Sequence, residues 1–145
     1  MTTELTDLYQ DLIIDHSTRP RNFKRIAGAK SAEGFNPLCG DRVTVFVRME
    51  GDVVGDASFL GEGCAISKAS ASLMTESIKG KTRADIGTQF TAFHDLVTGA
   101  ANPDIERLGK LTAFSGLSEF PMRVKCGTLA WHTLRAAMES TQEDS

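Results

Sequence analysis

The sequence predicts a single α+β domain, and three observations carry that prediction. Two β-rich runs, residues 43–49 and 53–60, meet at Glu50-Gly51-Asp52, where a hairpin turn is natural. On either side of them apolar residues recur at helical spacing. No internal repeat, low-complexity tract or linker interrupts the chain, so residues 1–145 read as one unit.

Taken in order, Leu5, Leu8, Tyr9, Leu12 and Ile13 follow a helical period behind Thr2 and Thr3 as caps, and this amphipathic helix ends near the polar stretch Asp15-His16-Ser17-Thr18-Arg19-Pro20. A third strand is expected at 32–35, beside the hairpin. From Ala65 the pattern turns helical. Ile66, Ala69, Leu73 and Ile78 form one stripe, and Lys79 with Gly80 suits the negative end of the helix dipole. Thr82 and Asp85 suit another helix start, and Phe90, Phe93, Leu96 and Val97 give it an apolar face that stops at Gly99. Asn102-Pro103-Asp104 begins a short helix. Residues 124–138, with Leu129, Trp131 and Leu134, form the last long one, and the tail 141–145 reads as frayed.

Composition narrows the function classes. An apolar share of 41% supports a hydrophobic core without disulfide staples. The formal charge of −3, with mixed signs, leaves no basic footprint for nucleic acid. The first residues lack the basic start and apolar run of a secretory signal, and no later stretch is long enough to cross a bilayer. The expected compartment is the cytoplasm, with no membrane partner. There, three cysteines favour thiol or metal chemistry over structural disulfides.

Each cysteine sits in a glycine-flanked motif: Asn36-Pro37-Leu38-Cys39-Gly40-Asp41, Gly61-Glu62-Gly63-Cys64 and Arg123-Val124-Lys125-Cys126-Gly127. Such flanks present a thiol at the end of an element rather than in a core. Cys39 precedes a strand, Cys64 follows one and opens a helix, and Cys126 is expected in the first turn of the last helix. Thiolates at helix N-termini are stabilised by unsatisfied amides and the dipole, so Cys64 and Cys126 should have lowered pKa values, with Arg123 and Lys125 adding positive charge beside Cys126. Asp41, two residues after Cys39, projects to the same side if the strand has begun and offers a fourth ligand. Three sulfurs and one oxygen suit tetrahedral zinc, the hard carboxylate being the easiest to displace. The residues alone leave a second reading open. Free cysteine is a small hydrophobe often buried without function, there is no CxxC pair, and the separations match no standard zinc finger.

Leu8-Tyr9 with Ile13-Ile14-Asp15-His16 and Pro20-Arg21-Asn22, then the three cysteine motifs extended by Ala65-Ile66-Ser67 and preceded by Phe120-Pro121-Met122, resemble the IscU/NifU-N superfamily of iron–sulfur cluster assembly proteins. The match runs in order over nearly the whole chain. It is closer to the SufU-type branch than to the IscU scaffolds, which carry a histidine where this chain has Lys125 and have a shorter segment where this chain has the helical stretch at 83–99. The resemblance implies a small antiparallel three-stranded sheet packed by several helices, and zinc held by Cys39, Asp41, Cys64 and Cys126. It also implies a sulfurtransferase of the SUF system, rather than a classical metabolic enzyme. Such a protein takes persulfide sulfur from a PLP-dependent cysteine desulfurase of the SufS type and has a SufBCD-type scaffold downstream. The alternative is an IscU-like scaffold on which iron–sulfur clusters are built. Zinc would keep the thiolates deprotonated yet quiet until a partner ligand frees one. Cys39 is the expected acceptor and catalytic residue, because Pro37 and Gly40 set it on a loop that can swing without unravelling a helix. Cys126 is the runner-up.

The remaining conspicuous residues have plainer readings. His16, His94 and His132 stand at no short spacing to a cysteine and are expected to hydrogen-bond rather than bind metal. Trp131 is expected in the core. The run Arg19-Pro20-Arg21-Asn22-Phe23-Lys24-Arg25 reads as a solvated loop or as a docking surface for the desulfurase.

Overall fold

The structure, a computed structural model, describes residues 3–100 and 104–140, with the backbone alone for 3–8. Helix α1 (Thr3–Thr18) leads into strands β1 (Lys30–Asn36), β2 (Asp41–Glu50) and β3 (Val53–Glu62). Helices α2 (Ala65–Ile78), α3 (Arg83–Thr98) and α4 (Ile105–Leu108) follow, then a 3₁₀ segment (Gly109–Glu119) and α5 (Pro121–Glu139). The sheet is antiparallel throughout in the order β1-β2-β3, with Asn36 opposite Asp41 in one hairpin and Glu50 opposite Val53 in the other. The α+β expectation and all three strands are found, each strand two or three residues longer than its expected run.

Alternation along the strands fixes which face is covered. Val43, Val45 and Val47 of β2 are buried, and Phe59 and Ala57 of β3 stand opposite the last two. This face packs against α5, which lies over β1 and β2, and α2, which lies over β3. Trp131 of α5 is fully buried there, stacked on Phe93 of α3 with ring centroids 5.0 Å apart. Burial of each such large side chain contributes about 1.5–3 kcal/mol, so the helices are held on the sheet mainly by this interface. On the opposite face Ile26, Ala29 and Phe46 form a small buried cluster.

Local signals explain the helix ends. The Thr82 hydroxyl accepts the Asp85 amide at 3.1 Å at the start of α3, and Gly99 closes that helix in the left-handed conformation. Lys79 instead reaches Asp56 at 3.2 Å and the Asn22 side-chain oxygen at 2.6 Å, leaving the α2 dipole uncompensated by it. The expected cap at Thr2, the Asn102-Pro103 start and the tail 141–145 lie outside the described residues. The sequence reading overlooked the 3₁₀ segment. Its buried residues Leu111, Phe114 and Leu117 recur every three positions, which suits a helix of three residues per turn and escapes a 3.6-residue template. Among the described residues no helix is long and apolar enough to cross a membrane.

Candidate metal centre

Three segments of the chain meet at one end of the sheet. The β1–β2 hairpin carries Cys39 in its loop and Asp41 as the first residue of β2; Cys64 is the N-cap of α2, directly after β3; Cys126 belongs to α5. The loop is a tight one. The Asn36 carbonyl accepts the Gly40 amide at 2.8 Å, the Asn36 side-chain oxygen accepts the Leu38 amide at 3.1 Å, and Gly40 takes φ +74°, which glycine adopts at no steric cost. β3 can approach the start of β2 because Gly61 has no side chain: a Cβ there would run into the Arg42 carbonyl oxygen. Gly63 likewise leaves room for the Asp41 carboxylate, which a Cβ would approach to 2.7 Å.

Ligand atoms of Cys39, Asp41 and Cys126 all lie within 4.8 Å of one another. The Cys126 and Cys39 sulfurs are 3.3 Å apart, well beyond a disulfide bond. Cys64 stands against the same carboxylate, its sulfur 3.9 Å from Asp41 Oδ2 and its amide donating to Oδ1 at 3.0 Å. Two sulfurs sharing a tetrahedral zinc at about 2.3 Å would be roughly 3.8 Å apart, the scale found here. Cys39 and Cys64 are exposed and Cys126 is buried, so the cluster has an open side formed by the first two.

The donor set fits a thiophilic divalent cation. Asp41 is only 1% exposed, and among the described residues no basic side chain pairs with it. A buried carboxylate without a counter-charge is costly, and a metal ion beside it supplies that charge. Cys39, Asp41, Cys64 and Cys126 are the residues that could hold it.

Cys126 departs from expectation in two ways. α5 begins at Pro121, so Cys126 lies in the second turn rather than the first, and it is 4% exposed. Burial pushes its thiol up, and the neighbouring Cys39, Asp41 and Cys64 push in the same direction. Without a cation, desolvation and like-charged neighbours outweigh the helix dipole, which acts mainly on the first turn. The expected lowering therefore does not hold for Cys126.

None of the three histidines joins the cluster. His16, at the end of α1, is buried, with Nδ1 2.7 Å from the Ser72 hydroxyl, the hydrogen-bonding role its position suggests. His94 and His132 both pack on the Phe90 ring. The basic run is fastened rather than loose. Arg19 and Arg21 pair with Asp15 at 2.9 and 2.6 Å, the Asn22 carbonyl accepts the Phe59 amide, and the Lys24 amide donates to the Phe59 carbonyl. Asn36 and Ser70 shape the site without having been given roles from sequence. Ser70 donates to the Gly127 carbonyl at 2.5 Å and ties α2 to α5 beside Cys126. An Asn followed by Pro-x-x-Gly is a turn signal that points to the first; nothing local points to the second.

The chain matches the NifU-like N-terminal domain family over residues 8–141. It is 42% identical over 130 residues to the zinc-dependent sulfurtransferase SufU of Bacillus subtilis, spanning 90% of this chain and 88% of that one. It is 36% identical over 137 residues to the iron–sulfur cluster assembly scaffold protein IscU of Streptococcus pyogenes, spanning 94% and 86%. Among solved structures, a protein of Fervidobacterium islandicum AW-1 described as an iron–sulfur cluster assembly scaffold for the SUF system superposes with a TM-score of 0.85 at 36% identity, covering 94% of this chain and 99% of that one.

Proposed function

Because this chain belongs to the NifU-like N-terminal domain family of iron–sulfur cluster assembly proteins, we propose that it is a zinc-dependent sulfurtransferase, accepting persulfide sulfur from a SufS-type cysteine desulfurase for iron–sulfur cluster assembly. The observation that carries this reading is the convergence of Cys39, Asp41 and Cys126, with Cys64 alongside, around a buried carboxylate that lacks a basic partner. Lys125 stands before Cys126, and the three histidines lie in other contacts, which favours sulfur transfer over a scaffold that uses a histidine ligand.

Cys39, Asp41, Cys64 and Cys126 would hold the zinc, whose charge keeps thiols deprotonated at neutral pH. Cys39 is the acceptor: it is exposed, on the hairpin loop, whereas Cys126 is buried in a helix. Its thiolate attacks the terminal sulfur of the desulfurase cysteine persulfide. A sulfur–sulfur bond forms on Cys39, the bond within the donor persulfide breaks, and its electron pair leaves with the desulfurase cysteine as a thiolate. The proton stays on the transferred sulfur, and no outside oxidant or reductant is consumed. Asp41, Cys64 and Cys126 remain to bind the metal, and the Asp41–Cys64 hydrogen bond fixes the start of α2.

Incubation with a cysteine desulfurase and cysteine, followed by mass spectrometry of the trapped product, tests this assignment. A persulfide on Cys39 and faster desulfurase turnover are expected, with both lost in Cys39→Ser. A persulfide confined to Cys126, or a brown cluster-bearing protein with no effect on turnover, would instead favour the scaffold function carried in the name of the Streptococcus relative.

A further inference from the structure

The loop carrying Cys39 is exposed along residues 37–40, yet the residue before it, Asn36, is only 7% exposed. Asn36 ends β1 opposite Asp41, so the two residues form the neck of the loop. Both hydrogen bonds that close it end on Asn36. The bond from Gly40 to the main-chain carbonyl is open to any residue; the bond from Leu38 to the side-chain oxygen needs an Asn- or Asp-like acceptor. The other half of the amide, Nδ2, is buried without a hydrogen-bond partner. A buried donor in that state is destabilising, so Asn is an expensive choice at this position unless its acceptor is required.

We propose that Asn36 is a positioning residue for sulfur transfer: its side-chain oxygen holds the 37–40 loop closed, so that the exposed Cys39 sulfur stands beside Cys126 and Asp41 instead of ranging away from them. The Asn36 side chain makes no hydrogen bond to a cysteine sulfur or to the Asp41 carboxylate. It acts by restricting where Cys39 goes. Cys126 sits within α5 and Cys64 is held at the start of α2 by the Asp41 carboxylate, so neither hangs on the Asn36 side-chain oxygen. This proposal rests on the sulfur-transfer reading for its biological meaning, but the restraint on Cys39 stands independently of any partner.

The test is the rate at which each cysteine reacts with iodoacetamide, resolved by mass spectrometry, in the full chain with and without one equivalent of Zn²⁺. Loss of about 1 kcal/mol of hydrogen bonding corresponds to roughly a fivefold change at 25 °C. Asn36→Ala should therefore accelerate alkylation of Cys39 by about fivefold in both arms, with Cys64 changed by less than about twofold. Asn36→Ser, which adds no charge beside Asp41 and keeps a weaker acceptor for the Leu38 amide, should fall between the parent and Asn36→Ala. The proposal is overturned if Asn36→Ala leaves Cys39 unchanged, if Asn36→Ser reacts as fast as Asn36→Ala, or if all three cysteines accelerate together. The metal-free arm involves neither desulfurase nor zinc, so failure of the sulfur-transfer function shows only in turnover, and failure of the Asn36 restraint only in alkylation.

Discussion

Asp41 Oδ1 accepts the backbone amide of Cys64 at 3.0 Å while its Oδ2 lies 3.9 Å from the Cys64 sulfur. One carboxylate thus ties the first residue of β2 to the N-cap of α2 and also faces the thiol cluster. Cys64 makes no side-chain cap of its own, so Asp41 supplies the acceptor that the helix start lacks.

Charge and hydrogen bond at Asp41 can be separated. In metal-free protein Asp41→Asn removes a buried charge and keeps the acceptor, so its melting temperature should rise above the parent. Asp41→Ala also loses the acceptor, at about 1 kcal/mol, and should melt roughly 2–4 °C below the Asn variant. With zinc the parent should be the most stable, and sulfur transfer should fall in both variants while the three thiolates retain metal. Calorimetry of the three proteins in each state checks this; an unchanged ranking on adding zinc would show that Asp41 is not a ligand.

Metal removal should loosen the fold, because the ligands come from the β1–β2 hairpin, the start of α2 and α5, and binding across them adds to folding free energy. The protein purified from cells is expected to hold about one zinc per chain. Chelation should lower the melting temperature, and zinc should restore it. A thermal midpoint indifferent to chelator would contradict this.

His16 predicts a pH dependence. Burial holds its imidazole below the ordinary 6.5; Arg21 adds to this, and Glu76 opposes it. Since the folded form binds the proton more weakly than the unfolded chain, the His16 contribution is fully present above about pH 6.5 and is lost as pH falls from there through the folded value. Compared with His16→Gln, which can still hydrogen-bond Ser72, the parent should lose more unfolding free energy between about pH 7 and 5. Urea titrations over that range measure the difference, and parallel curves would rule out His16 as the source.

Gly61→Ala should be strongly destabilising. The added methyl would meet the Arg42 carbonyl oxygen and come within 2.9 Å of Val43 Cα, both backbone atoms that cannot rotate away. A loss of about 1–3 kcal/mol is expected, with weakened zinc retention, since the displaced end of β3 leads directly into Cys64. A variant with parental stability and zinc affinity would show that the strands part without cost.

By itself the sequence determined the elements whose signals are local. Alternation and a Gly-Asp turn mark the β2–β3 hairpin, Thr82 and Gly99 bracket α3, and three glycine-flanked cysteines with Asp41 mark the donors. It also placed Trp131 in the core, as the largest apolar side chain on the last long helix. Tertiary structure decided everything that depends on distance between segments. Cys126 reads as an exposed helix-start thiol, yet packing of α5 on β1 and β2 buries it, and desolvation then overrides the dipole. Lys79 reads as a helix-end charge, yet Asp56 and Asn22 across the fold take it. The 3₁₀ segment has a period of three that is weak as a local signal and is stabilised by burying Leu111, Phe114 and Leu117. Residue type and spacing set which groups can ligate or hydrogen-bond; which of them meet, and how dry the meeting place is, follows only from how the helices pack on the sheet.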